Sequence, residues 1–243
     1  MITSRDNPQV KRWARLASDG RLRRKERRAI VEGPRLVSLA KPVALLVSES
    51  GQGRGLGGRD AILLSDRAFH AIVDVESPQG IAAEIEIPAP GALSAPALFL
   101  EGVQDPGNVG TILRSAAAFG IRSAVLDRDC ADPWSPKVLR AGMGAHFALS
   151  IRETEDLASE LRAFPGRVLC AAARDGLGPE NANLSGPIGW LLGAEGRGVS
   201  AELQALSSAT VTIPMAAGTE SLNVAAAAAI LFYAAFSRPA AGS

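Results

Sequence analysis

From Ala97 onward, short apolar runs alternate with helical ones. ALFLEGV is followed by the helical NVGTILRSAAAFG, then SAVLD, a long helix near Glu153 to Phe164, RVLCAAA, GWLLGA, ATVTIP and a final alanine-rich helix. Strands separated by helix-length segments must cross over, so this half of the chain is read as a mostly parallel sheet covered by helices on both faces. In NVGTILRSAAAFG the apolar positions Val109, Ile112, Leu113, Ala116 and Ala117 fall on one stripe that presses on the sheet. Asn108 is placed to cap the first turn and Gly120 to end the last, while Arg114 projects away from the stripe. Polar turns follow three of the strands, at Asn108, at GAEGRGVS and at the Ser221-Leu222-Asn223 entry to the last helix. In an open α/β sheet ligands collect at the carboxyl ends of strands, and glycines there let backbone groups approach a small molecule.

The first ninety residues read differently. A basic helical segment precedes the apolar runs VALLVSE and AILLSD, which flank GQGRGLGGRD, a glycine-rich stretch expected to be an exposed flexible loop. Residues 83 to 96 hold three prolines and a glycine, the composition of a linker, which divides the chain into a small α/β unit over 1–92 and a larger one over 97–243. A hydrophobic fraction of 47% over 243 residues is enough to give each a core. The net charge of +1 hides an asymmetry, because residues 1–41 carry twelve Lys or Arg against four acids. Within RLRRKERR, the side chains of Arg21, Arg23, Arg24, Lys25, Arg27 and Arg28 are either a solvated helix face or a footprint for nucleic-acid phosphates.

Several chemistries are excluded. There is no GxGxxG after a first strand, no GxxxxGK[ST], no GxSxG elbow, and no zinc-deaminase pattern. Cys130 and Cys170 are far apart, and His70 and His146 are isolated, so neither a disulfide framework nor a metal site is expected. The charged amino terminus MITSRDNPQVKRW is unlike a secretory signal, and the longest apolar run is too short to span a bilayer, which gives the expectation of a cytoplasmic protein.

Taken in order, DPGNVGTILRSAAAFG, LLGAEGRGVS and IPMAAGTESLNVAAAAAILFYAAF, with SPKVLRAGMGAHF between the first two, resemble the motifs of the SpoU (TrmH-like) RNA 2′-O-ribose methyltransferases of the SPOUT superfamily. The resemblance spans residues 97–243, and residues 1 to about 92 are similar to the small RNA-binding domain that many members carry. It implies an α/β fold closed by a deep C-terminal trefoil knot, and S-adenosylmethionine bound by Gly193, Ile213 and Leu222, with Gly196 and Gly198 in the same glycine-rich turn. It implies that Arg114 engages RNA near the reacting hydroxyl, Asn108 orients the site, Glu195 holds the second motif's loop, and Ser221 with Asn223 shapes the pocket floor. The implied substrate is ribosomal RNA, with transfer RNA or a non-catalytic RNA-binding role as alternatives, and the implied assembly is a homodimer without metal or membrane.

Overall fold

Val10, Trp13 and Leu16 recur every third residue and form the buried side of helix α1 (Pro8–Ser18), which starts where the Asn7 side chain accepts a hydrogen bond from Gln9 N. In the computed structural model, which describes residues 1–73, 75–218 and 220–237, α1 belongs to the first of two units. That unit comprises Met1–Ala89 and Trp134–Phe147, and the second comprises Pro90–Pro133 and the chain from Ala148 on.

The first unit continues through α2 (Gly20–Glu26), β1 (Arg28–Glu32), α3 (Pro34–Leu39), β2 (Pro42–Ser48), α4 (Glu49–Gly53), β3 (Ile62–Leu64), α5 (Asp66–His70) and β4 (Ile81–Glu86). The strands form one sheet in the order β1-β4-β2-β3, with β4 antiparallel to both its neighbours. Two expectations change here. Residues 83–86 belong to β4 rather than to the linker, because Ile81–Ile85 are buried between β1 and β2 and only the proline-rich remainder stays outside the sheet. The start of GQGRGLGGRD is helical rather than loop, because Ser48 caps α4 by accepting from Gly51 N and Gly51 packs against the Gly80 backbone.

A charged network fastens α1 and α2 to this sheet. Arg12 donates to Glu84 at 2.8 and 2.9 Å and to Glu26 at 2.6 and 3.0 Å, and the Trp13 indole N–H donates to Glu84 Oε2 at 2.8 Å. Burial alone would raise the Glu84 pKa, but the hydrogen bonds from Arg12 and Trp13 and the charges of Arg12 and Arg28 outweigh it, leaving the group below its ordinary value.

In the second unit β5 (Ala97–Glu101) leads into α6 (Pro106–Ala118) and β6 (Ser123–Asp127). The chain then gives α7 (Pro136–Gly142) to the first unit, where Val138 and Leu139 are buried and Gly144 closes on Leu39. It resumes with β7 (Ser150–Thr154), α8 (Leu157–Ala163), β8 (Arg167–Ala171), β9 (Ile188–Gly193), α9 (Ala201–Ala205), β10 (Ala209–Val211) and α10 (Val224–Phe236). All six strands are parallel, in the order β10-β8-β9-β5-β6-β7. The helix expected from Glu153 starts later, because residues 150–154 pair with β6 and Asp156 supplies the cap that opens a short α8. Ala97 and Phe99 of β5 pack with Leu157, Leu161 and Phe164 on one face. Leu98 and Leu100 are buried on the other, the side taken by α6 and α10, which pack on each other. No helix among the described residues is long and apolar enough to cross a membrane.

The depressed Glu84 pKa makes its contribution to stability full above the unfolded carboxylate value and absent once pH has dropped through the folded one. Glu84→Gln is therefore expected to lose about 2 kcal/mol in urea unfolding at pH 7, with the gap to the wild type narrowing as pH falls below the unfolded carboxylate value. A gap that does not narrow at all as pH falls into the acid range would show that the charge of Glu84 is not what stabilises the unit.

Candidate active site

The strand order reverses around β5. The chain moves outward through β6 and β7, returns on the other side as β8, and inserts β9 between β8 and β5. The carboxyl ends of β5, β8, β9 and β10 therefore lie side by side along one edge, the position where such sheets bind ligands. Along that edge a cavity of about 650 Å³ is lined by Ala171–Ala173 after β8, Gly193–Val199 after β9, Val211, Ile213 and Met215 around β10, and Glu220–Val224 leading into α10. All five residues expected at a cofactor, Gly193, Gly196, Gly198, Ile213 and Leu222, line it, as do Glu195, Ser221 and Asn223.

The turn after β9 is set by its glycines. Gly196 and Gly198 take φ of +80° and +68°, and Gly198 N donates to Ala194 O at 2.8 Å, which closes the turn on itself. Gly193 has a reason for being glycine within the fold itself. A Cβ there would collide with the Gly198 carbonyl and Val199 N, so the missing side chain lets the turn fold back on its own strand.

Glu195 rides at the tip of this turn and joins three separated segments. Asn108 Nδ2 donates to Glu195 Oε1 at 2.9 Å, and Asn223 Nδ2 donates to the same oxygen at 2.8 Å and to Asn108 Oδ1 at 3.0 Å. Asn223 is also the N-cap of α10, its Oδ1 accepting from Ala225 N at 2.9 Å and Ala226 N at 3.2 Å. That cap fixes which way the Asn223 amide points, and the Asn223 donor in turn fixes Asn108. Asn108 does not cap α6 as its position suggested. Asp105 does, accepting from Asn108 N at 2.7 Å with Pro106 at the first helical position, which frees the Asn108 side chain for Glu195. Helix α6 ends as expected, with Gly120 at φ +75° after Phe119, and Val109, Ile112, Leu113 and Ala116 are buried on its stripe.

Further groups brace the β5 end, and sequence reading overlooked them. Both Asp127 carboxylate oxygens accept from Gly102 N at 3.0 Å, the Cys130 thiol accepts from Val103 N at 3.3 Å, and Glu101 Oε2 accepts from Ser200 N at 2.7 Å. Only their places at strand ends could have flagged them, since each acts on backbone. Cys170 lies in the cavity wall, where burial and then the Glu101 charge push its thiol up to about 11, so it is a neutral wall group and not a nucleophile.

Arg114 stands apart. It is exposed on α6, six residues beyond Asn108, and does not line the cavity. At 1.5 Å and 100° per residue it sits about 9 Å along the helix and a third of a turn around from Asn108. Among the basic residues, Arg21 and Lys25 are exposed and Arg24 is half-buried. Arg23 is turned inward, buried with its guanidinium on the Leu16 and Ala17 carbonyls at 2.6 and 2.9 Å, so it is a cap for α1 and not a surface charge. Arg27 donates to Ile87 O at 2.9 Å, and Arg28 pairs with Glu86 at 3.2 Å. Among the described residues no group of three or more His, Cys, Asp or Glu is arranged to hold a metal ion.

Replacing Asn223 separates its two duties. Asn223→Ala is expected to cost about 1 kcal/mol of cap stability, a fall of about 2–4 °C in Tm. Asn223→Ser should restore the cap and the melting temperature while removing the amide that donates to Glu195 and Asn108. If thermal melts place the serine variant with the alanine one, the cap is not the stabilising element.

Two family models match the chain. Residues 95–233 match the model of the SpoU rRNA methylase family, and residues 7–83 match that of the MRM3-like substrate binding domain. The chain is 34% identical over 245 residues to the 23S rRNA (guanosine(2553)-2′-O)-methyltransferase RlmP of Bacillus subtilis, covering 96% of this chain and 97% of that one. The AdoMet-bound rRNA methyltransferase of Sinorhizobium meliloti superposes with a TM-score of 0.81 at 28% identity over 96% of both chains. A structure described for 2-OH methylation of C/U34 on tRNA has a TM-score of 0.53 at 32% identity and covers 58% of this chain and 93% of its own.

Proposed function

Because the chain belongs to the SpoU rRNA methylase family, we propose that it transfers a methyl group from S-adenosylmethionine to a ribose 2′-hydroxyl of ribosomal RNA. The observation that carries this reading is the convergence of three distant turns on one cavity, tied by Asn108, Glu195 and Asn223. The cavity fits such a donor. Its volume lies in the range of small-molecule sites, and Leu192, Ile213, Leu222 and Leu231 offer apolar walls for a purine. The backbone of Ala171–Ala173 and of the Gly193–Gly198 turn offers hydrogen bonds that need no diagnostic side chain. When bound, the donor supplies a methyl on a positively charged sulfur. The protein's part is to exclude water from the pocket and to align the nucleophile, and alignment carries much of the barrier reduction in a displacement of this kind.

Ribosomal RNA is favoured over transfer RNA by the first unit, whose residues 7–83 match the MRM3-like substrate binding domain, and by the full-length likeness to a 23S rRNA methyltransferase. Arg21 and Lys25 offer exposed positive charge on that unit for phosphates, with Arg24 beside them. Arg114, whose guanidinium suits bidentate phosphate recognition, acts on the RNA strand and not on the donor. The deep knot belongs to the same reading, with the segment after β10 threading to close the cavity. So does a homodimer, for which Ile230, Tyr233 and Phe236 supply an exposed apolar face, the last two set edge-on or tilted against Phe119. The protein works in the cytoplasm.

Arg114→Ala is expected to leave S-adenosylmethionine affinity within about twofold while lowering methyl transfer to ribosomal RNA by about 10²–10⁴-fold, measured with labelled donor. An undiminished rate would remove Arg114 from the reaction. Neutralising Arg21 and Lys25 together should reduce the slope of log affinity against log salt by about 2. An unchanged slope would assign both to solvent.

A further inference from the structure

Resting on the reading of the cavity as a methyl-donor site, we propose that the Glu195 carboxylate makes the pocket select the cationic sulfonium donor over the neutral thioether left after transfer. The two ligands differ by one methyl group and one positive charge, and everything else the pocket touches is common to both. Most of the cavity wall is backbone, small or apolar, and its charged members are Glu195, Arg197 and Glu220. Glu195 is the one held in place. Its Oε1 takes both amide donors, while Oε2 has no hydrogen bond among the described residues, which leaves a fixed negative oxygen for a ligand. Arg197 is drawn toward the end of β5, where its Nη2 would lie 2.9 Å from a Cβ built on Gly102, and no hydrogen bond among the described residues fixes the Glu220 carboxylate.

A carboxylate positioned this way attracts the donor while the sulfur is charged and loses that attraction when the charge is gone. In the transfer the ribose oxygen forms the new C–O bond, the C–S electron pair returns to sulfur, and the hydroxyl proton passes to solvent. The spent thioether then leaves a pocket that no longer favours it. Product release is a common limit on turnover, and a charge that discriminates substrate from product lifts that limit without any moving part.

Calorimetric titration of the full chain with S-adenosylmethionine and with S-adenosylhomocysteine tests the inference without needing the RNA. Glu195→Gln keeps an oxygen for both asparagines, with weaker hydrogen bonds that affect both ligands alike, and removes the charge, so donor affinity is expected to fall about tenfold further than thioether affinity. Glu220→Gln should leave the ratio unchanged. Equal loss of both ligands in Glu195→Gln, no change in either, or collapse of the ratio in Glu220→Gln instead would overturn the inference. Should Glu195→Gln fail to fold, the wild-type ratio of the two affinities still decides, since a charge effect must shrink as ionic strength rises and a constant ratio would refute it. If the folded wild type binds neither ligand, the donor-site reading itself fails, and this inference with it.

Discussion

Glu195 accepts two side-chain amides on one oxygen, and those amides come from residues 87 positions before it and 28 positions after it. Hydrogen bonds to a carboxylate are stronger than those between neutral groups, so this one atom holds the ends of β5, β9 and the entry to α10 in a common frame. The frame depends on secondary structure on all sides. Asp105 must take over the capping of α6 before Asn108 is available, Asn223 must cap α10 to be aimed at Glu195, and Gly193 must lack a side chain for the turn to reach back at all. Each helix start thus also serves as a strut of the cavity.

The parallel order of the sheet explains why such distant residues meet. A parallel sheet places every strand's carboxyl end on the same edge, and insertion of β9 beside β5 brings Glu101 into register with Gly193. The second motif therefore emerges next to the first without a long loop. Behind it, Asp127 and Glu101 spend their carboxylates on backbone N–H groups of Gly102 and Ser200, which fixes the two exits relative to the sheet. The chemistry proposed for the site asks for little beyond this rigidity, since alignment and exclusion of water are what a preorganised cavity provides.

Much of this was legible in the residues. The alternation after Ala97 gave the parallel sheet, two of the polar turns line the cavity at its edge, and the stripe on α6 is buried as its spacing implied. Other features were not, and for physical reasons. Asn and Asp cap helices almost equally well, so NVG after DPG could not reveal that Asp105 is the cap and Asn108 the tie. Arg23 lies in a run of identical-looking charges, and only the geometry of two adjoining helices turns it onto the carbonyls of Leu16 and Ala17. Residues 83–86 sit beside a proline-rich stretch whose composition masked the strand's pairing with β1 and β2. Asp127 and Cys130 act on main-chain groups, which carry no sequence signature.

In the proposed function the turns after β8, β9 and β10 form one cradle for the methyl donor. Amide hydrogen exchange of the full chain, with and without saturating S-adenosylmethionine, tests it directly. Slowed exchange is expected together in 171–173, 192–199 and 211–224, with α7 and the first sheet unaffected. Protection of only one of these segments, or protection centred on the first unit, would contradict the cradle.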